Sequence, residues 1–87
     1  MNSLDPTALR RIKWRCRRGM LELDMMLQSF FEQRFENLDC QQQQMFTRLL
    51  DYPDQSLLEW LSGAPIDADK DVRDIVEQLR HFSSAGA

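Results

Sequence analysis

Apolar residues recur at intervals of three and four along most of this chain, and no stretch alternates apolar with polar residues as a half-buried strand would. The first such segment opens at Asp5-Pro6-Thr7, where Asp5 suits the cap and Pro6 the first turn. Leu9, Ile12 and Cys16 then fall on one stripe, arginines crowd the last turns, and Gly19 fits the left-handed position that commonly closes a helix. A second helix is expected from about Met20 to Phe35, with Leu23, Leu27, Phe30, Phe31 and Leu38 facing a core and Met20 and Phe35 at its edge. Asp39 and Gln42 form a capping-box-like start for a third, whose apolar side is Met45, Phe46, Leu49 and Leu50. Its run Gln41 to Gln44 reads as one polar turn. Pro53 stops that helix, and Asp54 is expected to cap a fourth that carries Leu57, Leu58, Trp60 and Leu61 inward and ends at Gly63 and Pro65. Asp67 starts the fifth, with Val72, Ile75, Val76 and Leu79 as its seam and Phe82 extending it. The prediction is all-α: a compact bundle of five short helices in one domain spanning 1–87, ordered over about 5–82, with 83–87 a frayed tail.

Composition narrows the function classes. A chain of 87 residues builds a thin core and leaves little room for a preformed catalytic cavity. Cys16 and Cys40 make no disulfide framework, and with His81 the single histidine there is no metal-ligand spacing, so both thiols are expected to pack as small hydrophobes. No apolar run approaches the ~20 residues a membrane span needs, and no signal peptide is recognisable, which makes a cytoplasmic protein the expectation. The net charge of −3 is unevenly spread. Residues 1–18 carry six basic residues against Asp5 alone, while 19–87 carry five basic against thirteen acidic, so the two parts net +5 and −8. Such a split can steer a partner, but a polar helix face would also produce part of it.

The informative residues are those the core does not claim. At about 100° per residue, Trp14 projects about 140° from Leu9 and shares the outer face with Arg10, Lys13, Arg17 and Arg18. A large aromatic among arginines has the composition of an interaction hot spot, although it could equally lie under arginine stems or pack on a neighbouring helix. On the second helix Glu22, Met25, Met26 and Ser29 lie away from the core stripe; the methionines are either covered by the fifth helix or form a pliable contact surface. Arg18-Gly19 is a helix stop, and a rigid glycine corner would also hold Arg18 and Glu22 at fixed surface positions.

The stretch "RRGMLELDMMLQSFF", followed by "FTRLL" and "LLEWLSG", resembles the FAD assembly factor family of succinate dehydrogenase, whose signature Arg-Gly-x-x-Glu is here Arg18, Gly19, Met20, Leu21 and Glu22. The likeness covers roughly Leu9 to Leu79. It implies a small five-helix bundle that binds the flavoprotein subunit of succinate dehydrogenase, and in bacteria also that of fumarate reductase, and promotes covalent attachment of FAD to a histidine of that subunit. It further implies an assembly factor of bacterial type rather than an enzyme, with FAD as the partner's cofactor and none held stably by this chain. Arg18, Gly19 and Glu22 carry over as partner-binding residues; Trp14, Arg17, Asp24 and Met25 join them on geometry. A monomer when free, without nucleic acid and without membrane insertion, is the expected state. The alternative is a regulatory binding module of antitoxin type or a nucleic-acid-binding helical protein. Against nucleic acid stand the acidic remainder, the pI near 5.0 and the lack of a helix-turn-helix pattern.

Overall fold

Local devices in the chain set two of the helix starts, those of the first and third helices. The computed structural model describes residues 5–85, with side chains through Phe82. Among these residues there are five α-helices and no strand: α1 (Pro6–Arg15), α2 (Leu21–Arg34), α3 (Cys40–Leu49), α4 (Asp54–Leu61) and α5 (Lys70–Ala85), with a 3₁₀ turn, Phe35–Asn37, after α2. The all-α bundle is therefore as the pattern predicts. Asp5 accepts from the Ala8 N–H at 2.7 Å with Pro6 in the first turn, which satisfies one of the donors that a helix start leaves free. Asp39 and Gln42 close a reciprocal capping box at 2.8 and 3.3 Å.

The hydrophobic faces meet in one core. Its centre is aromatic: Phe30 stacks on Phe46 at 5.5 Å, and Phe35 meets Phe46 edge-on at 5.7 Å. The long helix α5 packs across α2, α3 and α4, with Val72, Ile75, Val76 and Leu79 buried along its seam. Phe82 extends that seam by meeting Phe30 edge-on at 5.4 Å.

Several expectations are corrected. Helix α1 ends at Arg15, so Arg17, Arg18 and Gly19 form a non-helical corner instead of a last turn closed directly by the glycine. Pro53, not Asp54, is the N-cap residue of α4, because the Asp54 carboxylate is drawn to the Arg18 guanidinium, a stronger charge-assisted donor than a backbone amide. Helix α5 begins at Lys70, three residues beyond Asp67, since Ile66 and Ala68 pack against the core in the segment leading to it. At its other end α5 is helical through Ala85, and of the tail expected to fray Gly86 and Ala87 lie outside the described residues. The glutamine turn is not wholly polar surface: Gln43 is buried, and its amide donates to the Phe35 carbonyl at 2.8 Å where α2 gives way to the 3₁₀ turn. Of the two thiols, Cys16 packs in the core as expected, whereas Cys40, the first residue of α3, is exposed.

Two glycines alone among the described residues adopt positive φ, Gly19 at +86° and Gly63 at +111°. A residue with a Cβ resists this region. Each glycine marks a corner braced by an arginine. At Gly63, where α4 ends, Arg80 reaches across from α5 and donates to the Trp60 carbonyl at 2.6 Å and to that of Ala64.

Candidate partner-binding surface

At Gly19 the corner is assembled from residues far apart in the chain. The backbone leaves α1 through a bond from the Arg17 amide to the Trp14 carbonyl at 3.0 Å. The carboxylate of Asp24, one turn into α2, then accepts from the Arg18 amide and from the Gly19 amide, the latter at 3.3 Å. An acid in the first turn of a helix already suits the positive end of the dipole; here it also holds the preceding corner against α2.

The Arg18 side chain turns inward. Its Nε donates to Asp54 at 2.7 Å, one terminal nitrogen donates to the Leu50 and Arg15 carbonyls at 2.8 and 3.0 Å, and the other to the Tyr52 carbonyl at 2.8 Å. The side chain keeps only 14% of its surface exposed. The guanidinium therefore closes the turn between α3 and α4, whose carbonyls would otherwise lack helical partners. Beside it Arg15 pairs with Asp51 from the same turn. The expectation that Arg18 faces outward on the α1 surface is corrected: three of the four acceptors it reaches lie at residues 50–54, a separation that helical arithmetic on α1 cannot register.

Cys16 lies beneath this corner without exposed surface. Burial pushes its thiol from 9.0 up to about 12, against a smaller downward pull from the Arg18 and Arg15 charges. It stays protonated at neutral pH and is no nucleophile.

What the corner leaves outside is apolar. Trp14 is 66% exposed, Leu21 75% and Met25 60%, and these are the large hydrophobic side chains that the described residues leave to solvent. They line one groove of about 540 Å³ together with Arg17, Asp24 and Gln28, with Arg10 and Lys13 at the α1 side. The Arg17 guanidinium lies over the Trp14 ring, 5.2 Å from its centre, and the ring still keeps most of its surface exposed. Lys13 also reaches Glu32 of α2 at 3.2 Å, both side chains half-exposed, which ties the two walls together loosely. An apolar floor with a basic rim can bind an apolar protuberance beside acidic groups on another folded chain.

Trp14, Arg17, Asp24 and Met25 thus share the groove, and Gly19 makes the corner beneath it. Glu22 is exposed on the adjoining side of α2, and Met26, half-buried, is the better covered of the two methionines. Two further residues belong to the site. Leu21 precedes Met25 by four residues and so shares its face, a signal present in the helical spacing. Asp54 carries only a cap signal in the sequence, and nothing local connects it to Arg18.

A family profile described as Sdh5, flavinator of succinate dehydrogenase, matches residues 10–83. The FAD assembly factor SdhE of Coxiella burnetii is 39% identical over 80 residues, which cover 92% of this chain and 98% of that protein. That of Pseudomonas aeruginosa is 40% identical over 80 residues, covering 87% and 95%. A solution structure of a UPF0350 protein superposes with a TM-score of 0.77 at 32% identity, over 95% of this chain and 89% of that one.

Proposed function

This chain belongs to the family of flavinators of succinate dehydrogenase, and we propose that it is an assembly factor that binds the flavoprotein subunit of that enzyme and promotes covalent attachment of FAD to it. The flavoprotein of fumarate reductase is proposed as a second client. The observation that carries the binding mode is the groove: Trp14, Leu21 and Met25 stand exposed and together, inside a basic rim, beside exposed Glu22. An aromatic anchor with apolar neighbours and an arginine is the composition of a protein-binding hot spot.

Attachment joins a histidine nitrogen to the 8α-methyl carbon of the flavin, the displaced N–H and C–H hydrogens being taken up by the isoalloxazine as two protons and two electrons, and in this reading both reacting groups belong to the client. The contribution of this chain is differential binding. By docking more tightly to the client conformation that brings those atoms within attack distance, it raises the population of that conformation. Its own side chains take no covalent part, and FAD remains the cofactor of the client. The factor acts as a monomer in the cytoplasm; among the described residues no helix is long and apolar enough to cross a membrane.

The test is covalent flavin itself. In a strain lacking this protein, the denatured flavoprotein subunit should lose its in-gel flavin fluorescence, and the intact chain should restore it. Full fluorescence at equal subunit abundance without this protein overturns the reading.

A further inference from the structure

We infer that Asp54 is a positioning residue for the docking groove, acting through Arg18, and that Arg18 shapes the surface from behind instead of touching the client. The inference rests on the docking function proposed above and assigns the parts within it. Arg18 joins two distant pieces of chain. Its guanidinium is seated on Asp54 and on the Leu50 and Tyr52 carbonyls of the α3–α4 turn, while its backbone amide is held by Asp24 of α2. Trp14 and Arg17 come just before it in sequence, and Leu21 and Met25 just after Gly19. The angle between the two walls of the groove is thus set at the residue whose side chain is anchored elsewhere. Gly19, at φ +86°, has no Cβ to lock the bend sterically, so the carboxylates supply the constraint.

Asp54 is the discriminating residue. Its carboxylate is 2.7 Å from Arg18 Nε, and it does not line the groove that Trp14, Leu21 and Met25 form. A client that gripped Arg18 directly would have to withdraw a guanidinium already bound to four acceptors, with each acceptor left unpaired.

The experiment measures affinity for purified flavoprotein subunit, with wild type, Asp54→Asn, Arg18→Lys, the double variant and Arg80→Lys, and follows the Arg18 and Gly19 amide proton resonances. Arg80→Lys is the control for mere loss of stability, since it loosens the equivalent brace at the Gly63 corner. Asp54→Asn is expected to weaken binding about tenfold and to shift both amide resonances, because a charge-assisted bond is exchanged for a neutral one. The double variant should bind no worse than the weaker single one, and Arg80→Lys should lower the melting temperature while leaving affinity unchanged. Three results overturn the inference: wild-type affinity in Asp54→Asn, additive losses in the double variant, or an equal loss of affinity in Arg80→Lys. If the wild-type chain itself fails to bind the flavoprotein, the docking function falls and the positioning role falls with it. If it binds and Asp54→Asn binds equally well, only the positioning role is lost.

Discussion

The chain turns corners at Gly19 and at Gly63 with the same parts: a glycine at positive φ, and an arginine whose guanidinium occupies nearby backbone carbonyls. Their surroundings differ. At Gly63 the neighbouring Leu61 and Ile66 pack on the core and Trp60 is buried, so the corner presents Ser62 and Pro65 to solvent. At Gly19 the flanking Trp14, Leu21 and Met25 stand out from it. A braced glycine corner is thus general architecture in this bundle, and exposed apolar surface is what sets one corner apart as the proposed docking site.

The largest effect is expected from removing a brace. Arg18→Ala leaves Asp54 and three carbonyls without their donor and should cost about 3 kcal/mol, whereas Arg80→Ala, with two carbonyls, should cost about 2 kcal/mol. Denaturant unfolding measures both, and equal losses would show that the Asp54 pair adds nothing. Next comes Trp14→Ala, which should weaken flavoprotein binding by about 2 kcal/mol while moving stability by less than about 0.5 kcal/mol. Titration against the client and a thermal melt separate the two readouts; a large melt shift would mean that the ring is a packing element.

Gly19→Ala and Gly63→Ala sharpen the comparison further. A Cβ at either position meets no atom within 4 Å, so the penalty is purely conformational, about 1–2 kcal/mol in each case. Flavin attachment should suffer in Gly19→Ala alone. The smallest effect belongs to Cys16, which only the Gly19 corner possesses. Its thiol is held protonated up to about 12 in the folded chain, while the unfolded chain releases that proton from 9.0 upward, so its contribution is intact below pH 9 and is lost as pH rises toward 12. The stability advantage of wild type over Cys16→Ala should shrink by about 0.8 kcal/mol between pH 8 and 9.5, as read from urea unfolding at each pH. A constant difference would mean that the thiol titrates normally.

The helices were legible because their signals are short-range. Capping by Asp5 and the Asp39–Gln42 box act within one turn, and the seam of α5 repeats every three or four residues. The same arithmetic turned Trp14 and Met25 outward and would have found Leu21. It misled at Arg18 and Gln43, where a polar side chain on a nominally wet face is taken in by carbonyls eight to thirty-four residues away.

Periodicity and caps are enough to specify five helices, their order and which stripe of each seeks cover, since the interactions involved span no more than a turn. Which arginine is sealed in and which tryptophan is left out depends on where the helices dock. An unsatisfied carbonyl draws whatever donor the packing brings near, and no rule within α1 names the α3–α4 turn as its neighbour.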